Sequence, residues 1–228
     1  MARSLRGHSG TLAQVSDLSP IARRRHNPAV SRPRLKLELD FPVTYEVEQL
    51  DRIDRSGGRR AYGFPDALSI DPQQDVAAGP ILGVTPEAGE PWVGVFYGGG
   101  YKVPPSVTAR LIAWPDGRSF CVVYAGSAVV VRADDPHATY EIDTYLVTGT
   151  LVVPERGVVV FADHTNLTAY GGDGLLWRSR RLALDDVRAE GTEGDALIVY
   201  GFFGSHSDRF KVDLATGQAS GQPFQPPE

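Results

Sequence analysis

The chain has 228 residues, 42% of them hydrophobic and 22% charged, which suits a folded core and excludes a collagen-like or wholly disordered chain. Its 23 Lys and Arg against 28 Asp and Glu leave a formal net charge of −5, which excludes a uniformly basic nucleic-acid binder. No run of ~18 apolar residues marks a membrane span, and the single cysteine, Cys121, rules out an internal disulfide.

The charge is unevenly spread. Residues 1–36 hold Arg3, Arg6, Arg23, Arg24, Arg25, Arg32, Arg34 and Lys36 against Asp17 alone, so a basic tail precedes an acidic body. Residues 1–34 are expected to form a disordered tail, dispensable for folding and open to trypsin, because they lack the apolar area to offset the entropy of ordering. The Arg23-Arg24-Arg25 cluster could contact phosphate. No aromatic side chain is interleaved with it to stack on bases, so nucleic acid is disfavoured as a partner. A short helix at 12–22 is limited by Pro20. Leu18–Ala22, broken by Ser19 and Pro20, forms no signal-peptide core, and the default expectation is a cytoplasmic protein with no membrane partner.

From Leu35 the alternation Leu35, Leu37, Leu39, Phe41, Val43, Tyr45, Val47 predicts one strand, bent at Pro42, with one wet face. Residues 51–60 read as a polar loop or hairpin turn around Ser56-Gly57-Gly58, and 61–70 as a second edge element. The segment 71–79, with Pro72 and Gly79 and little periodicity, marks a boundary inside a β-repeat domain of residues 35–228. It separates an N-terminal β section, 35–79, from a repeat section, 80–228.

The repeat section organises the chain. Three runs, FCVVYAGSAVVVRADDP, VVVFADHTNLTAYGGDGLLWRS and LIVYGFFGSHSDRFKVDLATGQASG, carry one pattern. Aligned, Val122 matches Val159 and Ile198, Tyr124 matches Phe161 and Tyr200, and Val129 matches Leu167 and Phe210. The spacing falls near the roughly 40 to 45 residues of a four-stranded propeller blade. β-branched runs divided by Gly and Asp turns make these strands and not helices. Each run follows a turn, Pro115-Asp116-Gly117-Arg118, Pro154-Glu155-Arg156-Gly157 and Glu190–Asp195. Pro86–Glu90 followed by Trp92–Tyr97 is a fourth, incomplete copy.

The middle run, ending in Asp173, Gly174 and Trp177, resembles a blade of the bacterial pyrroloquinoline-quinone-like and WD40-like β-propeller repeat family, and the last run resembles its turn at Asp213, Thr216 and Gly217. The resemblance lies within residues 119–221. The copy at Phe120–Ile142 lacks the family's Trp, and the last copy has Ala219 near its place. What the resemblance implies is an all-β fold, a propeller-like repeat of antiparallel blades, either a small or incomplete propeller or an open β-sandwich. The chain is too short for the seven or eight blades of the quinone-dependent enzymes at about 40 residues each, so no cofactor is expected.

Candidate chemical groups are sparse. Asp134, Asp135, His137, Glu141 and Asp143 suit hard cations, but their spacing matches no EF-hand loop and a solvated hairpin turn is expected, with no metal. Ser205, His206 and Asp208 are a nucleophile, a base and a carboxylate within four residues, yet side chains so close on an extended loop diverge. Gly98-Gly99-Gly100 lacks the Lys-Ser or Lys-Thr of a phosphate loop. Cys121 reads as a core hydrophobe, and Trp92 and Trp177 as inter-blade packing whose indole N–H groups need partners.

Scarcity of motifs favours a non-catalytic binding module over the alternative, a propeller-type hydrolase or lyase with a His–carboxylate or metal site. The loops that follow each core strand must share one end of the stack: Gly98–Tyr101, Gly126-Ser127, Asp163–Asn166 and Phe202–Asp208. The predicted recognition residues are Tyr101, Asp163, His164, Phe203, His206 and Asp208, facing a protein or small ligand. Unpaired terminal blades would also allow self-association.

Overall fold

The computed structural model describes residues 33–54, 58–66, 68–69, 79–97, 108–144 and 146–220. The basic tail with Arg23, Arg24 and Arg25, the possible helix at 12–22, the triglycine at 98–100 and Tyr101 lie outside the described residues, and the 71–79 boundary does so except for Gly79. The fold is all-β. No α-helix occurs among the described residues, and one 3-10 turn at Pro154–Arg156 supplies the turn before the second repeat.

Among the described residues eighteen strands form four sheets. Sheet I holds β2 (Tyr45–Leu50), β3 (Arg60–Phe64), β4 (Leu68–Ser69), β5 (Ile81–Pro86) and β6 (Trp92–Phe96), in the order β2-β5-β6-β3-β4. Sheet II holds β1 (Leu35–Glu38), β7 (Ala109–Ala113), β8 (Ser119–Tyr124), β9 (Ser127–Arg132) and β10 (Thr139–Glu141), in the order β1-β7-β8-β9-β10. Sheet III is the meander β11 (Gly149–Val153), β12 (Val158–Ala162), β13 (Leu167–Gly171) and β14 (Gly174–Arg178). Sheet IV is the meander β15 (Asp185–Glu193), β16 (Ala196–Phe202), β17 (Ser207–Asp213) and β18 (Ala219–Ser220).

Alternation along the strands decides which sheet meets which. Phe120, Val122, Val129 and Val131 of sheet II pack with Leu82, Val84, Trp92 and Phe96 of sheet I. Their strand neighbours Cys121, Val123 and Val130 face the other way, onto Val159, Phe161 and Tyr170 of sheet III. Val158, Val160, Ala162 and Trp177 then face Leu197, Val199 and Val212 of sheet IV. Four blade-like sheets are thus stacked face to face in the order I, II, III, IV, with apolar layers between them.

The core strands of the three runs, β8, β12 and β16, occupy the second place in their meanders, as the repeat predicts. The alignment needs one correction. Val122 and Val159 each face the preceding sheet, whereas in the last copy it is Leu197 and Val199 that do so and Ile198 that turns away. A slip of one residue reverses every side chain of a strand.

The N-terminal residues do not form one bent strand. Chain reversal around Pro42 separates β1 from β2: β1 pairs in parallel with β7 of sheet II, and β2 pairs antiparallel with β5 of sheet I. In sheet I the third neighbour comes from earlier in the chain, since β3 lies parallel beside β6 and only the short β4 forms the edge. The fourth copy is incomplete for this reason: its hairpin β5–β6 is completed by strands from residues 45–69.

The face of sheet IV turned away from sheet III is polar. Arg188 and Arg209 flank Tyr200 across the strands, Lys211 lies opposite Ile198, and Arg209–Glu190 and Lys211–Glu193 pair at 2.8 Å. Among the described residues this face is the last of the stack and carries solvated charge, with the two-residue β18 at the edge of sheet IV.

Candidate functional site

The loops that follow the core strands meet along one end of sheets II, III and IV, joined by the connections between sheets. At sheet II the Ala125-Gly126 turn, with φ of 53° and 81°, has the two positive φ values of a tight hairpin. Val147 of the II–III connection donates its N–H to the Gly126 carbonyl at 2.8 Å. Arg178 bridges onward, 3.5 Å from Asp143 and 3.9 Å from Asp163. In the III–IV connection, Leu182 donates to the Thr165 carbonyl at 2.8 Å and Leu184 to the Phe202 carbonyl at 2.9 Å, tying the second loop to the third.

Asp163 is buried and serves its own loop. Its Oδ1 accepts the backbone N–H groups of Thr165 and Asn166, both at 2.7 Å. This Asx turn shapes the projection of His164 and leaves little of the carboxylate for a ligand. Asp163→Ala is therefore expected to cost about 1–3 kcal/mol, since it strands two backbone donors. Faster amide exchange at Thr165 and Asn166 would check it, and unchanged exchange would contradict it.

His164 is exposed, and its Nδ1 lies 2.7 Å from Asp185 Oδ1 at the start of β15. That hydrogen bond, with a second from the Asp186 N–H, holds the Asp185 carboxyl below the usual carboxylate range. Asp186 itself sits at φ 54°, within the register shift between Asp185 and Arg188 of β15.

Phe203 and His206 close the third loop as a backbone pair, Phe203 N–H to His206 carbonyl at 2.8 Å, with rings stacked at 5.5 Å and 22°. Phe203 is half-buried against Phe210 and the III–IV layer, so it anchors the loop as well as lining it. Ser205 Oγ lies 3.2 Å from His206 Nδ1, while Asp208 is exposed and accepts the N–H of Arg209. The three side chains do not line up as a relay.

Two residues at this end were not among the predicted recognition residues, Leu184 of the III–IV connection and Phe202 of the predicted third loop. Leu184 is 39% exposed and Phe202 36%, side by side through their backbone hydrogen bond. Leu184 sits in the apolar run Leu182-Ala183-Leu184, whose first two members are buried, and nothing in the run distinguishes the third.

The acidic group around residue 134 is a turn. Asp134 accepts from Arg132 at 2.9 Å and from Arg118 at 2.6 Å, which hold its carboxyl below the usual range, and Asp135 caps the His137 N–H. Cys121 is fully buried, and desolvation pushes its thiol up, out of reach of nucleophilic chemistry. Among the described residues no helix is long and apolar enough to cross a membrane.

No family model matches the chain, and no curated protein matches it in sequence. Among solved structures it is similar to a TolB-assigned protein from Agrobacterium tumefaciens, at 14% identity and a TM-score of 0.32, over 51% of this chain and 46% of that one. The chain thus matches less than half the length of that protein.

Proposed function

We propose that the protein is a non-catalytic binding module of the propeller-repeat type, acting in the cytoplasm and recognising a partner protein with the loop end of sheets III and IV. The observation that supports this reading is the juxtaposition of exposed Leu184 and Phe202 with the polar pairs His164–Asp185 and Ser205–His206. An apolar centre with hydrogen-bonding neighbours is the make-up of a recognition surface. The loops are stapled by Asp163 and the Phe203–His206 stack, so little ordering entropy is lost on binding.

The test is a triple substitution, Leu184→Ser, Phe202→Ser and His164→Ala. Phe203 is spared because it is partly core. The variant is expected to keep its unfolding midpoint and to bind a partner isolated by cross-linking at least tenfold more weakly, about 1.4 kcal/mol. A control at the opposite end, Glu155→Ser with Arg156→Ser, is expected to bind normally. Undiminished binding by the triple variant would overturn the reading. Light scattering of the purified protein separates a foreign partner from self-association.

A second reading, a hydrolase or lyase, draws on the 2.7 Å His164–Asp185 contact, which has the form of a base and its orienting carboxylate. Hydrolysis of an ester or phosphoester probe that falls at least a hundredfold in Asp185→Asn would favour it.

A further inference from the structure

Two seams between sheets join an indole N–H to the carbonyl that follows a third strand, and the II–III seam instead holds its buried indole, Trp114, against Tyr140. At the I–II seam the Trp92 indole N–H donates to the carbonyl of Ala133, the residue that follows β9, at 2.8 Å. At the III–IV seam the Trp177 indole N–H donates to the carbonyl of Leu214, the residue that follows β17, at 2.7 Å. In the II–III seam the residue that follows the third strand, β13, is Gly172. The position matching Trp177 is Tyr140. Each pairs with the third residue from the end of its neighbouring strand, Trp177 with Ala169 and Tyr140 with Val130. At this position sheet II thus carries a phenol ring where sheet III carries an indole.

A cavity of about 300 Å³ opens at that place. Its floor and wall are Trp114 and Tyr140, whose rings meet edge to face at 6.5 Å, and its rim is Gly172-Asp173-Gly174. It lies at the turns before the core strands, the end opposite His164 and Phe202. Tyr140 is 41% exposed and its ring stacks on Tyr170 at 6.4 Å and 29°. Gly172 lets the rim lie close to the Pro115-Asp116 turn, where a Cβ would come 3.4 Å from the Asp116 nitrogen.

The surrounding charge is acidic. Asp116 and Asp173 both line the cavity. Asp116 accepts from the backbone N–H groups of Arg118 and Ser119, whereas Asp173 is exposed and has no partner among the described residues. The lining cation, Arg132, makes a two-point bond to Asp134, a carboxylate it shares with Arg118. An aromatic wall, a free carboxylate and a guanidinium already bonded to its own carboxylate favour a ligand that is flat and positively charged.

We propose that this cavity binds a free small organic cation of the arylalkylammonium class, its ring against Tyr140 and its ammonium on Asp173. The site is independent of the loop end described above. Tryptamine is the probe, followed by backbone amide shifts at 138–140 and 172–174, with neutral indole and anionic indole-3-acetate as comparators. Tryptamine is expected to saturate those shifts and to bind at least tenfold tighter than either comparator. Asp173→Asn is expected to remove most of that preference. Tyr140→Trp, which puts there the larger ring that sheet III carries at Trp177, is expected to fill the cavity, abolish binding and leave the protein folded. The proposal is overturned if tryptamine fails to saturate at concentrations on the order of 10 mM. It is equally overturned if indole binds as tightly as tryptamine, or if binding survives in a folded Tyr140→Trp protein.

Discussion

Trp177→Ala is expected to lower stability by about 3–5 kcal/mol, enough to unfold a domain of ordinary marginal stability at modest urea concentrations. The indole is 7% exposed, packs in the III–IV layer and donates at 2.7 Å to the Leu214 carbonyl. Its partner surface cannot close the gap. Gly217 lies directly beneath the ring, where a Cβ would come 2.4 Å from Trp177 Cε3, and at φ +71° its backbone is committed to the turn that ends β17. Trp177→Phe separates the two contributions, keeping much of the packing and stranding the carbonyl, and is expected to cost about 1–3 kcal/mol. Urea denaturation checks both. A midpoint in Trp177→Ala equal to that of the native protein would place the indole outside the core.

Phe120→Ala is expected to be as damaging in the other half of the stack, again by about 3–5 kcal/mol. Phe120 is 0% exposed and stands at the centre of the I–II layer, with ring contacts to Tyr45 at 5.6 Å, Trp92 at 6.2 Å and Phe96 at 6.3 Å. Sheet I is an assembly of non-sequential strands, so this aromatic cluster joins segments that short-range pairing does not. The I–II and III–IV layers share no residue, so the losses in Phe120→Ala and Trp177→Phe are expected to add within about 0.5 kcal/mol. Strong non-additivity in urea midpoints would show that the layers communicate through sheet II and sheet III more tightly than their separate contacts imply.

Both substitutions act on layers between sheets, whereas the loop-end and cavity variants act on surfaces that the layers position. Stability loss in the first pair and retained stability in the second is therefore the combined signature of a rigid β scaffold bearing separate sites.

Much of the fold was legible because β structure writes its period and its turns locally. The turns Pro115–Arg118, Pro154–Gly157 and Glu190–Asp195 precede β8, β12 and β16, and the repeat alone identified these as equivalent strands. Trp92 and Trp177 could be read as packing residues in need of acceptors, because a buried indole N–H must be satisfied. The facing of the last copy was not legible. Leu197-Ile198-Val199-Tyr200 is continuously apolar, so no alternation says which side is buried, and only contact with sheet III picks Leu197 and Val199.

The candidate loop end divides in the same way. That the loops share an end follows from equivalent strands, but whether a side chain there faces out depends on contacts distant in sequence. Asp163 is spent on its own turn, Phe203 is half committed to the core, and Leu184 and Phe202 are left exposed. The amino-acid sequence by itself determined the strand repeat, the turns and the all-β class, because these rest on local period and backbone chemistry. Tertiary structure alone decided that β1 joins β7 and β3 joins β6, since backbone hydrogen bonds between parallel strands carry no residue code. It alone also placed a cavity beside Tyr140 and Asp173, because its lining comes from turns and strands of two sheets that are distant in sequence.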